Sequence, residues 1–208
     1  MEKGKVISKL EELRKENKQR KFAQSIDLLI NLKSFDIKKD SVNLFLNLPN
    51  KVKDVKIAGF LNKKSNLVDT ITKADFDNYK DKKKIKNLVR SYDFFVASAS
   101  LMPSLAANFG RYLGAAGKMP SPQLGIIRDE NESEIKGVIE KFQKVVRVKS
   151  KEPSLKFSIG KENMKDEEIA ENILLACNTV LNSLPRKKEQ IKSVMIKFTM
   201  SKPVKLEF

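Results

Sequence analysis

Apolar and polar residues along this chain follow two rhythms, and the rhythm changes twice. Residues 6 to 17 place Val6, Ile7, Leu10 and Leu13 on one face and Glu11, Glu12, Arg14 and Lys15 on the other, which predicts an amphipathic helix. Beyond a basic turn, KQRKF, the period drops to two. Ile26, Leu28, Ile30 and Leu32 alternate with Ser25, Asp27, Leu29 and Asn31, as in a half-buried strand. A second alternating run, Val42, Leu44, Leu46 and Leu48, follows the polar loop around Asp36 to Ser41 and stops at Pro49 and Asn50. Two such runs so close in sequence predict antiparallel neighbours.

After Pro49 the apolar positions run together. Val55 to Leu61, Leu67 to Ile71 and Phe94 to Ala99 read as strands buried on both faces of a parallel sheet. Helices separate them, one through Ile85, Leu88 and Val89 with Lys82, Lys83 and Lys84 in its first turn, another from Leu105 to Leu113. The acidic cluster Asp129 to Glu134 opens a further helix through Ile135, Val138, Ile139 and Phe142, where the macrodipole favours acids; it reads as a helix start, not a metal site. Strand and helix thus alternate from about residue 53 to 146, predicting an α/β unit.

From Val145 the first rhythm returns. A basic segment VVRVKSKEP leads to a short strand, Leu155 to Ile159. Asp166, Glu167 and Glu168 then open a helix with Ile169, Ile173, Leu174, Cys177, Val180, Leu181 and Leu184 on one face, ending at Pro185. The last stretch, SVMIKFTMSKPVKLEF, turns Val194, Ile196 and Phe198 to a core and Ser193, Met195, Lys197 and Thr199 outward. Pro203 removes a backbone donor, so this strand should end or break there. The expected fold class is α/β with an inserted domain: residues 1–50 and 147–208 form a discontinuous α+β two-layer domain, residues 51–146 the insert, with crossings near Pro49 and Lys149.

Charge sharpens this picture. The 208 residues hold 42 Lys and Arg against 26 Asp and Glu, a net charge of +16. Such an excess suits a polyanion, because each neutralised phosphate releases condensed counterions. The polar row on the last strand fits that partner: hydroxyls reach phosphate or ribose oxygens while the ammonium neutralises charge. A membrane surface is the rival reading, but the cations are spread over several elements rather than lining one amphipathic helix. No apolar run approaches the roughly 20 residues that span a bilayer, and the opening MEKGKVISKLEEL lacks a secretory signal, so a soluble, cytoplasmic protein is expected.

Absent residues narrow the chemistry. With no His and a single Cys, an imidazole base, an imidazole ligand and a structural zinc site are excluded, and Cys177 reads as a core thiol. No catalytic residue, cofactor or metal is assigned. The glycine-rich stretch Gly110 to Gly125, GRYLGAAGKMPSPQLG, matches neither a Walker loop nor dinucleotide spacing. It reads as a loop of specific backbone geometry beside a basic surface. An α/β enzyme acting on a phosphorylated or nucleotide substrate remains the alternative.

GRYLGAAGKMPSPQLG, together with RKFAQSIDLLINLKSFD and KFTMSKPVKL, resembles the large-subunit ribosomal protein one family in its archaeal form, over nearly the whole chain and in the right order. The resemblance implies a first domain built from both chain ends and a Rossmann-like insert. It implies binding to large-subunit ribosomal RNA at the mobile side stalk, a part in release of deacylated tRNA from the exit site, and repression of the protein's own mRNA. The free protein would be a cytoplasmic monomer, with no membrane partner, that joins the ribosome. Carried over by position, the RNA surface would comprise Lys21, Phe22, Ser25, Asp27, Ser193, Lys197, Thr199, Met200 and Ser201. Three positions depart from the family pattern. Ser201 stands where Gly is usual, so its side chain is expected to crowd a closely approaching RNA backbone, and Ala115 and Ala116 replace the usual Pro and Arg.

Overall fold

The computed structural model describes residues 2–17, 20–36, 42–52, 54–79, 81–122, 124–150 and 152–207; parts of the KQRKF turn and of the loop from Asp36 to Ser41 lie outside them. In chain order, α1 (Lys3–Glu16), β1 (Ser25–Leu32) and β2 (Asn43–Asn47) come first. Next are β3 (Ile57–Phe60), β4 (Asp69–Ile71), a 3-10 segment Lys73–Tyr79, α2 (Lys82–Ser91), β5 (Phe94–Ser98), α3 (Met102–Ala116), β6 (Ile126–Ile127) and α4 (Glu132–Lys144). The chain closes with β7 (Val145–Lys149), β8 (Ser154–Lys161), α5 (Asp166–Ser183), β9 (Ile191–Phe198) and β10 (Val204–Leu206). These form two compact units, Met1–Lys53 with Lys144–Phe208, and Asp54–Gln143. The crossings fall a little inside residues 51 and 146, because Leu48 N donates to Lys144 O at 2.9 Å and β7 pairs back onto β2 at once.

The first unit centres on β1. Its sheet has the order β10-β9-β1-β8, antiparallel throughout, and β1 is buried at every second residue. Ile26, Leu28, Ile30, Leu155, Ile159, Val194, Ile196 and Phe198 form one core with Val6, Leu10 and Leu13 of α1 and Ile169, Ile173, Ala176, Cys177 and Val180 of α5. Burying a side chain of this size stabilises the fold by about 1.5–3 kcal/mol.

Two expectations are corrected here. β1 does not pair with β2: both its edges are taken by β8 and β9, and β2 pairs with β7 in a separate ribbon running from Asn43 opposite Lys149 to Asn47 opposite Val145. Alternation marks a strand with one buried face but carries no address for its neighbour. The final stretch is a hairpin rather than one strand, because the chain turns after Phe198, ahead of Pro203, and β10 returns with Val204 opposite Ile196.

The second unit has a parallel sheet of order β4-β3-β5-β6. On one face Ile85, Leu88 and Val89 of α2 and Leu105, Phe109 and Leu113 of α3 meet Ala58, Phe60, Phe95 and Ala97. On the other, Ile135 and Phe142 of α4 meet Ile57, Leu61, Val96 and Ile127. The inner strands are therefore apolar at successive positions, as the continuous runs require.

The first part of the glycine-rich stretch, to Ala116, is helix rather than loop. Gly110 and Gly114 lie within α3, and the turn begins only at Gly117, whose φ of 68° ends the helix in the left-handed region. Gly125, at φ 100°, is needed for space as well, since a Cβ there would stand 2.7 Å from Phe95 O. Lys118 belongs to no basic surface: its Nζ donates to Val89 O and Tyr92 O, both at 2.7 Å, and so satisfies carbonyls at the end of α2.

Candidate nucleic-acid interface

The outer face of the first unit's sheet is half-buried or exposed along β9, β1 and much of β8. Register sorts its side chains into rungs. At one end Asn31 lies between Ser193 and Ser154; its Nδ2 donates to Ser193 Oγ at 3.0 Å and its Oδ1 accepts from Ser154 Oγ at 3.0 Å. The next rung is Met195, Leu29 and Lys156, and the next is Lys197, Asp27 and Ser158. Burial pushes the Asp27 carboxyl above its ordinary 3.8, against the pull of the Lys197 ammonium opposite it. At the far end Ser25 faces Lys161, and Ser25 O accepts from Thr199 N at 3.1 Å and from Thr199 Oγ1 at 3.3 Å.

Beyond Thr199 the β9–β10 turn projects Met200, which is 61% exposed, and the segment before β1 projects Phe22, 54% exposed. One buried residue fastens both segments. Gln24 Oε1 accepts from Met200 N at 3.2 Å, its Nε2 donates to Asn17 Oδ1 at 3.1 Å, and its backbone N donates to Glu162 Oε2 at 3.1 Å. Ser201 turns inward, its Oγ accepting from Phe198 N at 2.9 Å, and its backbone lies outside the positive-φ region. The serine thus closes the turn in the conformation that the sequence supplies.

Of the residues carried over by resemblance, Ser25, Asp27, Ser193 and Lys197 share this outer face, while Lys21, Phe22, Thr199, Met200 and Ser201 cluster around its Gln24 end. Ser193 stands apart, about 20 Å along β9 at the usual strand rise. Sequence reasoning missed Gln24, Asn31, Ser154 and Ser158. The outward positions Ser154, Lys156 and Ser158 do alternate with Leu155, Phe157 and Ile159, and that third alternating strand was the available signal.

The second unit offers a different arrangement where doubly wound sheets take their ligands, beyond the carboxyl ends of the strands. Glu130, after β6, accepts from Asn62 N at 3.0 Å, from Asn62 Nδ2 at 2.6 Å and from Lys63 N at 3.0 Å, while Asn62 Nδ2 also donates to Ser100 Oγ at 3.0 Å. Burial opposes ionisation of Glu130, but these bonds outweigh it and hold the carboxyl below its ordinary range. A carboxylate of the chain itself thus engages the backbone donors there. In the first unit, burial pushes the Cys177 thiol up to about 12, leaving it no thiolate with which to react.

Comparison with known proteins agrees with this frame. A chain from Pyrococcus horikoshii named large ribosomal subunit protein uL1 is 34% identical, over 98% of this chain and 95% of its own length. Chains of the same name from Pyrococcus abyssi and Nanoarchaeum equitans are each 35% identical, over 98% and 92% of this chain and 95% of theirs. The sequence profile described as ribosomal protein L1p/L10e family matches residues 13–202, spanning the outer sheet face, the insert and the β9–β10 turn alike, and the chain belongs to that family.

Proposed function

We propose that this chain is a structural component of the large ribosomal subunit, resident on cytoplasmic ribosomes, that binds large-subunit ribosomal RNA through the outer sheet face of its first unit. The observation that carries this reading is the set of polar rungs ending at Phe22 and Met200, two exposed apolar side chains on segments that Gln24 joins. Hydroxyls of Ser25 and Thr199 meet ribose or phosphate oxygens, Lys21 and Lys197 neutralise charge, and Phe22 and Met200 pack on sugar or base surfaces. Asp27, an acceptor only, takes a 2'-hydroxyl or a base amine. The names of the relatives support the large subunit as its setting. In the same reading the RNA site is the mobile side stalk, the bound protein assists release of deacylated tRNA from the exit site, and the free monomer represses its own mRNA.

The test is a salt titration of binding to a side-stalk fragment of large-subunit ribosomal RNA, with an unrelated hairpin of equal length as control. Stalk binding that persists at salt releasing the control is expected. Thr199→Ala and Met200→Ala should each weaken stalk binding by about 1–2 kcal/mol, roughly five- to thirtyfold, without changing the fold. Equal affinities for the two RNAs, falling together with salt, would overturn the reading.

A further inference from the structure

Helix α2 carries Lys82, Lys83, Lys84, Lys86 and Arg90 and no carboxylate; α3, packed against it, adds Arg111 and again no carboxylate. All of these cations are exposed, and among the described residues none makes an ion pair. The other helices are balanced differently. On the opposite face of the same sheet, α4 matches Lys136, Lys141 and Lys144 with Glu132, Glu134 and Glu140. In the first unit, the acids of α5 meet α1 through Arg14 Nε to Asp166 Oδ1 and Lys3 Nζ to Glu171 Oε1, both at 2.8 Å. Carboxylates near α2 in sequence are engaged locally: Asp81 caps the helix by accepting from Lys83 N at 3.1 Å, and Asp75 accepts from Thr72 N and Oγ1 at 2.9 and 2.7 Å.

A solvated face has no need of this arrangement. Mixed signs, as on α4, serve solubility, and lysines in the first turn of α2 oppose the helix dipole at a cost to the fold. We infer that the outward side of the α2–α3 layer is a second RNA surface, one that holds phosphates by charge and without regard to sequence. It rests on the RNA-binding reading above and extends it to the second unit. Lipid is the poorer occupant, because Ile85, Leu88 and Val89, the apolar side of α2, are already buried in the core and cannot enter a bilayer.

The test compares two triple variants of the full chain that lose equal charge, K82Q/K83Q/K84Q on α2 and K136Q/K141Q/K144Q on α4. Each is titrated with salt against the side-stalk fragment extended by flanking duplex, and against the duplex alone. The α2 variant should shallow the dependence of log affinity on log salt by roughly one for each phosphate no longer neutralised, about two to three in all, on both RNAs. It should lose about tenfold or more in affinity at low salt, keep the preference for stalk over hairpin, and melt no lower than the parent. The α4 variant should stay near the parent slope. Equal shifts from the two variants would reduce the effect to net charge and overturn the inference, as would no shift from either. So would loss of binding to anionic phospholipid vesicles with RNA binding intact. Failure of the sheet-face reading is distinguishable, since it shows as absent stalk preference in the parent chain whatever α2 does.

Discussion

The two sheets differ in how many of their faces are spent on packing. In the first unit one face of β10-β9-β1-β8 is buried by α1 and α5 and the other is left with hydroxyls, an amide, ammoniums and a carboxylate at fixed spacings. In the second, α2 and α3 take one face of the parallel sheet and α4 the other, so the side chains of the inner strands β3 and β5 are spent on packing. A pleated surface with a free face holds polar groups in register to within a hydrogen bond, whereas a helix covering a sheet presents long, mobile cations. The first arrangement suits recognition of one RNA shape. The second suits attraction to any RNA.

The sharpest way to break this contrast is to remove one side of it. Excising residues 54–143 and joining the flanks, whose strands already meet at the Leu48 N to Lys144 O bond, should leave a folded protein that keeps most stalk affinity and its preference over the hairpin. Loss of folding, read by circular dichroism, would show that the first unit does not stand alone. A smaller effect is expected within that unit from Gln24→Ala, which strips a buried side chain from Met200 N and Asn17 Oδ1. It should cost about 2–3 kcal/mol in chemical denaturation and weaken stalk binding while leaving the α2 salt slope unchanged. Unaltered stalk binding in a folded Gln24→Ala protein would detach the turn from recognition.

The smallest effect concerns Asp27. Burial raises its folded-state pKa above the unfolded value, so the folded chain holds that proton more tightly, and the stabilisation is complete below the unfolded pKa and lost as pH rises through the folded one. Above that window the ionised group is a small liability. Asp27→Asn should therefore flatten this segment of the stability profile upward from about pH 4 and melt slightly higher at neutral pH. An unchanged pH profile in paired thermal melts would remove the burial argument.

Periodicity disclosed which strands have one buried face and which have two, because side-chain burial is a local record of sheet environment. Pairing was not disclosed: Ser25 lies opposite Lys161, and nothing near Ser25 specifies that distant partner. For the same reason the outward residues of β8 were overlooked, although its alternation was present. Buried polar fasteners such as Gln24 are hidden for another cause, since a lone glutamine before a strand has the same pattern whether it faces water or ties a turn. Composition likewise counts a cation without showing which carbonyls it reaches: Lys118, in the stretch expected beside a basic surface, is spent on Val89 O and Tyr92 O.

The pairing of β1 also sets an order of events during synthesis. Both of its neighbours lie beyond Pro153, so its apolar face stays without a sheet while the whole insert is made, and α5 arrives later still. The second unit, contiguous in sequence, has all its strands and helices in hand before β8 emerges and is free to fold first. The β9–β10 turn that presents Thr199 and Met200 follows β8, α5 and β9. On the proposed RNA reading, a fragment released before β8 and β9 are made lacks the sheet face altogether, so a broken-off chain has no such face with which to compete for RNA.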